Sequence, residues 1–113
     1  MFERGKIILV PFPFTDLSSQ KVRPAVILSA NVPHAKDVIV AFVSSVVDTQ
    51  LRSHILVSET VSKFEMTGLK KSSVIRCDKI ATLDRRIVLG ELGTLPPTLM
   101  KQVNVGLRRV LGL

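Results

Sequence analysis

The sequence predicts a mainly β fold with one α-helix, a compact and strongly bent antiparallel sheet or barrel finished by a C-terminal helix. Three observations predict it. Short runs rich in Ile and Val recur between turn signals. The segment after Thr94 switches to apolar residues at helical spacing. The whole chain has 113 residues, about the size of one domain with one core, so many short strands and a terminal helix favour a bent antiparallel sheet over a parallel α/β arrangement. Residues 1–113 are therefore expected to form a single domain.

Six strands are expected, over Lys6–Phe12, Pro24–Ala30, Asp37–Ser45, Ser53–Ser58, Ser73–Leu83 and Arg86–Leu92. The first contains the apolar run Ile7 to Val10, which Pro11 and Pro13 break after four residues. No small-residue cleavage site follows, so this basic start reads as neither a signal peptide nor a membrane span. Thr15 to Gln20 is polar and turn-prone, a longer connection than a tight hairpin needs. Pro24 opens the second strand and holds Arg23 extended. In the third, Val38-Ile39-Val40-Ala41-Phe42-Val43 is apolar on both faces and belongs in the middle of the sheet. The fifth mixes charges into Val74-Ile75-Arg76-Cys77-Asp78-Lys79-Ile80, so one side of it is expected to meet a groove or solvent.

Between strands four and five, Ser62 and Glu65 have capping-box spacing and Gly68 can end the turn, which predicts a short helical turn. The C-terminal helix has Thr94 as a candidate cap, Pro96 and Pro97 in the first turn, then Leu99, Val103, Leu107, Val110 and Leu111 on one face.

Hydrophobic residues make up 46% of the chain, more than one small core needs, and the surplus is available to cover a dimer interface. Sixteen Lys and Arg stand against nine Asp and Glu, a formal charge of +7. Such a surplus attracts polyanions through phosphate contacts and counterion release, which makes nucleic acid the leading partner class; an acidic protein or an anionic membrane also suits the charge. Cys77 is the only cysteine and has no intramolecular partner, and no Cys/His cluster has zinc spacing. The chain fits a reducing cytosol, with neither a structural metal nor a cofactor.

Two stretches carry the candidate chemistry. Lys21-Val22-Arg23-Pro24 places two cations at the mouth of a buried strand, where the Arg23 guanidinium can fork onto phosphate oxygens. The third strand ends in Ser44 and Ser45, whose hydroxyls can donate to the same anion. His54 is the better general-base candidate of the two histidines, while Asp16, Asp78 and Lys79 are candidate groove residues for base edges or for aligning Arg23. Neither Trp nor Tyr is present, and Phe14 is the one Phe placed beside the polar loop for stacking on a base.

In order along the chain, Gly5 with Lys6 to Val10, the polar loop, Arg23-Pro24-Ala25-Val26-Ile27-Leu28-Ser29, the Val38–Ser45 strand, Ser73-Val74-Ile75 through Asp78-Lys79-Ile80-Ala81-Thr82-Leu83-Asp84, and Leu89-Gly90-Glu91-Leu92 resemble the MazF/PemK-type toxins of type II toxin–antitoxin systems. The resemblance implies an SH3-like antiparallel β-barrel with a C-terminal α-helix, usually a homodimer in the cytoplasm. It implies cleavage of single-stranded RNA without a metal, by attack of the ribose 2′-hydroxyl, and restraint by a cognate acidic antitoxin. The family's usual catalytic pair, the Arg of the Arg-Pro motif and a Thr ending the third strand, falls on Arg23 and Ser44. Ser keeps the hydroxyl and loses the methyl that restricts the rotamer, so Ser45 is a possible stand-in. Lys21, Asp16, Ser45, His54, Asp78 and Lys79 are then the candidate substrate-binding residues. Two other functions fit the same barrel: a CcdB-like toxin that poisons DNA gyrase by protein contact, and a degenerate barrel that binds nucleic acid without cutting it.

Overall fold

A computed structural model describes residues 1–12, 21–47 and 52–113. Six strands form one antiparallel sheet: β1 (Lys6–Phe12), β2 (Lys21–Ile27), β3 (Asp37–Ser44), β4 (His54–Val57), β5 (Ser73–Asp84) and β6 (Gly90–Thr94), followed by α1 (Pro97–Leu111). The sheet order is β4-β5-β3-β2-β1-β6, so it curls into a half-barrel with β3 and β2 at its centre and β4 and β6 at its edges. This is the expected class, and the apolar third strand occupies the interior position its composition predicts.

Both faces of the sheet are covered. Ile7, Val26, Ala41, Val43, Ile75 and Cys77 pack with Leu99 and Val103 of α1, and Ile8, Val10, Ala25, Ile27, Val38, Val40 and Leu83 form a second apolar cluster. Neighbouring residues such as Ile7 and Ile8 are therefore both fully buried, which explains continuous apolar runs where a one-sided sheet would alternate. Burying Leu99 and Val103 contributes on the order of 2 kcal/mol each to docking α1. Arg4 fastens the same helix from the other end of the chain, donating from Nε to the Leu28 carbonyl (2.8 Å) and from Nη2 to Asn104.

Several boundaries differ from the sequence reading. β2 begins at Lys21 and ends at Ile27, because the residues before Pro24 are already extended and pair with Val10 to Phe12 on β1. The expected strand over Arg86–Leu92 starts only at Gly90. The Asp84 side chain accepts from the Arg86 amide (2.8 Å) and turns Arg85–Ile87 into a single 3₁₀ turn. Thr94 lies within β6, and α1 is capped at Pro96 without a side-chain bond. The short turn after β4 is 3₁₀ and spans Phe64–Thr67, entered through Lys63 at φ 65 without the expected Ser62 cap and closed by Gly68 at φ 73. Gly68 and Gly93 are needed here, since a Cβ on Gly93 would lie 2.6 Å from the Thr67 carbonyl carbon and one on Gly68 2.8 Å from that of Leu92.

The feature that shapes the surface is an interruption in β5. Ala41 pairs with Ile80 and the next residue, Phe42, pairs with Arg76, leaving Cys77, Asp78 and Lys79 without partners on β3. Such an insertion bends the bulged strand and re-aims its side chains. No described helix is long and apolar enough to cross a membrane.

Candidate nucleic-acid interface

A groove of about 240 Å³ opens at the end of β3, lined by Arg23, Pro24, Phe42, Val43, Ser44, Ser45, Val46, Ser73, Arg76 and Lys79. Its walls follow from strand lengths. Pairing between β2 and β3 is confined to Ala25–Ile27, so Lys21–Pro24 runs on past its neighbour, which suits a proline that has no N–H for a ladder. Beyond that pairing, Arg23 of β2 and Ser44 at the end of β3 both line the groove. Arg23 is exposed and Ser44 half-buried, both clear of the core.

Ser44 is already oriented. Its Oγ accepts from the Val46 amide at 3.1 Å, and the hydroxyl keeps its own proton to donate. On the other side of β3, Arg76 forks onto Asp78, with Nε 3.2 Å from Oδ1 and Nη2 2.8 Å from Oδ2. The Arg76 guanidinium is the main reason that the Asp78 carboxyl is held below the usual carboxylate range, against the opposing effect of partial burial. Asp78 is therefore a carboxylate at neutral pH. Lys79, next along the bulge, lines the groove as a further cation.

Of the residues singled out from sequence, the structure brings Arg23, Ser44, Ser45 and Lys79 together around the groove. Lys21 is exposed two residues before Arg23 on the same face of β2 and is not part of the lining. His54 pairs with Arg76 across β4 and β5, and its imidazole is almost wholly buried with Nε2 3.2 Å from Asp78 Oδ1. Its ring does not line the groove but a separate depression with Arg52, Gln102 and Arg109, a poor position for a base acting on a ribose in the groove. Asp78 stands between His54 and Arg76 and reaches the groove only through Arg76. Asp16 and Phe14 lie outside the described residues.

Sequence reasoning missed Arg76 as a groove cation, along with Ser73 and Phe42. The signal was the Arg76-Cys77-Asp78 spacing, since opposite charges two apart in a strand share a face. Among the described residues, no three His, Cys, Asp or Glu side chains gather as metal ligands.

The family description "PemK-like, MazF-like toxin of type II toxin-antitoxin system" matches residues 3–111. No curated protein sequence matches the chain significantly. Among solved structures, an endoribonuclease from a mycobacterial species in complex with its cognate antitoxin superposes with a TM-score of 0.78 at 20% identity, over 98% of this chain and 95% of that one. The Mycobacterium tuberculosis toxin MazF-mt6 gives 0.75 at 24% identity, over 96% and 97% of the two chains. A MazE-MazF structure from Deinococcus radiodurans gives 0.76 at 19% identity, over 98% and 96%. At these identities the likeness is one of fold.

Proposed function

The chain belongs to the PemK-like, MazF-like toxin family, and from that premise we propose that it is an endoribonuclease toxin that cleaves single-stranded RNA without a metal. The observation that supports the reading is that Arg23 and an oriented Ser44 hydroxyl line the same cationic groove. In the proposed reaction the ribose 2′-hydroxyl gives up its proton to water as its oxygen attacks the adjacent phosphorus, and the 5′-oxygen leaves and takes up a proton from water. The products are a 2′,3′-cyclic phosphate, which water can open to a 3′-phosphate, and a 5′-hydroxyl.

Charge accumulates on the non-bridging phosphate oxygens along this path, and Arg23 suits that charge. A guanidinium stays protonated and is a poor base, but a donor fixed beside developing charge contributes roughly 10²–10³ in rate. Ser44 adds a neutral donor to the same oxygens, its rotamer set by the Val46 amide. Recognition of the strand falls to the groove cations, Arg23, Arg76 and Lys79.

The reading extends to partners. A toxin of this charge needs restraint, and an acidic antitoxin tail lying in the same groove would exclude RNA. The protein is proposed to act as a cytoplasmic homodimer. The test is incubation of purified protein with a single-stranded RNA oligonucleotide in excess EDTA. Cleavage leaving 5′-hydroxyl ends is expected, with Arg23→Ala slowed about 10²–10³-fold. Cleavage that disappears in EDTA and returns with magnesium overturns the metal-free reaction, and an Arg23→Ala variant as fast as wild type overturns the site.

A further inference from the structure

We propose that the depression at the far end of β3 from the groove is a second phosphate-binding site, built by Lys36, Arg85 and Arg86, and that it holds a phosphodiester of the same RNA strand well away from the cut. The inference rests on the RNA-cleaving reading and adds to it a second foothold, which a long RNA reaches and a short one does not.

The site begins with the ladder between β3 and β5. Asp37 pairs with Asp84 at its first rung, and just beyond it the Arg85 amide donates to the Lys36 carbonyl at 2.9 Å. The segment entering β3 and the 3₁₀ turn leaving β5 are thereby held side by side. Ala35, Lys36, Asp84, Arg85 and Arg86 line a depression of about 370 Å³ between them. β3 has 8 residues, and at about 3.3 Å per step its length puts this end roughly 23 Å from Ser44 and the groove.

Three cations and one carboxylate line the depression, and the carboxylate is already taken. Asp84 accepts from the Arg86 amide, Nε and Nη2 at 2.8 to 3.2 Å. Asp37, its ladder partner, is exposed and stands outside the lining. Neither Lys36 nor Arg85 has an ion-pair partner among the described residues.

Arg85 is held in place without being satisfied. Its guanidinium carbon lies 4.6 Å from the centroid of the Phe2 ring, a cation–π contact that orients the group. Its hydrogen bonds are long, since Nη2 reaches the Asn31 side-chain oxygen and the Val32 carbonyl only at 3.4 Å, and Nε is buried with no hydrogen-bond partner among the described residues. An arginine fixed on an aromatic ring with donors to spare suits phosphate oxygens, and Lys36 and Arg86 add charge beside it.

The spacing of the two cationic sites favours a polyanion over a small one. Stacked nucleotides advance about 3.4 Å each along a strand, so about seven of them cover the length of β3. When one strand joins both contacts, the second becomes intramolecular, and a shallow site of exposed cations then gains from a high effective concentration that a free phosphate never has.

The experiment uses the full chain and two RNA analogues made uncleavable by a 2′-deoxyribose at the scissile position. One has about six nucleotides and fills only the groove; the other has about thirty and can reach both sites. Each neutralised phosphate contributes about 0.7 to the slope of log K against log salt for a single strand, so the slope of the long analogue should exceed that of the short one by about 1.4 for two contacts. Lys36→Gln combined with Arg86→Gln is expected to remove that excess and to weaken the long analogue about tenfold relative to the short one. KM for a long cleavable RNA should rise relative to KM for a short one by a similar factor. Lys63→Gln combined with Lys101→Gln removes the same charge from two other exposed positions and should leave the excess in place. An excess that survives Lys36→Gln with Arg86→Gln overturns the proposal, as does an equal fall in the Lys63 and Lys101 pair, the sign that net charge alone is read. Inorganic phosphate, titrated into isotope-labelled protein, tests for the small anion: saturable shifts of the Lys36 and Arg85 amides, with no long-analogue excess in the wild type, assign the site to free phosphate and overturn the RNA contact. If the double variant is unfolded by circular dichroism, Lys36→Gln alone leaves the contacts between Arg86 and Asp84 intact and should remove about half of the excess. A wild-type chain that binds both analogues but cuts no RNA refutes the nuclease reading, while the salt slopes still decide the second site.

Discussion

Gly106 is where α1 comes closest to the sheet, and replacing it with alanine sets two opposed effects against each other. A Cβ built on Gly106 would lie 2.9 Å from Cys77 Sγ, 3.4 Å from Cys77 Cβ and 3.4 Å from Ile55 Cδ1. Alanine in the middle of a helix gains roughly 0.8–1 kcal/mol over glycine. Forcing an extra methyl into a packed core costs roughly 1–3 kcal/mol. Cys77 and Ile55 are both in the core, so the clash should win and Gly106→Ala should be about 1 kcal/mol less stable, or about 4–6 °C lower in Tm for a domain of this size. Cys77→Ala alone opens a small void at a cost of about 1 kcal/mol. In the double variant the new methyl enters the space that the sulfur left, so thermal unfolding followed by circular dichroism should show the pair about 1 kcal/mol more stable than the sum of the singles. Cys77 is also the first residue of the bulge, so RNA cleavage should fall in Gly106→Ala and recover in the double variant. Simple additivity of the two stabilities would refute the reasoning.

Four other outcomes are expected, at three residues. Gly93→Ala should leave little folded protein on gel filtration, because its Cβ would overlap backbone atoms of Met66 and Thr67 that no rotamer change can move; a native melt for this variant would show that the turn is not held against β6. The Cys77 thiol is pushed up to about 11, first by burial and then by the Asp78 charge, so it should resist a disulfide reagent at pH 8 until the chain unfolds. Its raised value means that the stability it contributes is intact below the ordinary thiol range and lost as pH rises through about 11, a loss that Cys77→Ala should abolish in alkaline melts. The Asp84 carboxyl is held down to about 2, chiefly by hydrogen bonds from the Arg86 side chain and amide. A depressed acid contributes stability above the ordinary carboxylate range and loses it as pH falls toward about 2, so Asp84→Asn should flatten acid melts over that window, and an unchanged acid slope would count against the Asp84 cap.

Much of the fold was legible because its signals are local. The doubly apolar run Val38–Val43 marked an interior strand, and Leu99 and Val103 at helical spacing marked the face of α1 that is buried. The errors came where a single side chain outbid a pattern. Arg86 to Leu89 contains three apolar residues that read as strand, but the Asp84 carboxylate captures the Arg86 amide and bends the chain first. Ser62 and Glu65 had capping-box spacing, yet Lys63 enters the turn in a left-handed conformation and the box never forms.

The candidate site divides along the same line. Ser44 and Ser45 were legible because the end of a strand is a place where a polar residue has nowhere to be buried, and Arg23 because Pro24 follows it where the ladder to β3 stops. The linkage of Arg76, Asp78 and His54 depends on register, which pairwise spacing does not carry. Had β5 paired with β3 without interruption, the residues from Cys77 to Lys79 would have been committed to partners on β3. The bulge lets the first part of β5 stay between β3 and β4, with Arg76 opposite both Phe42 and His54, while Asp78 swings to meet Arg76 and His54 together. The same interruption thus leaves Arg76 at the groove and brings round the carboxylate that accepts its Nε and Nη2 hydrogen bonds, a contact that spacing along the sequence places on one face and only the register brings about.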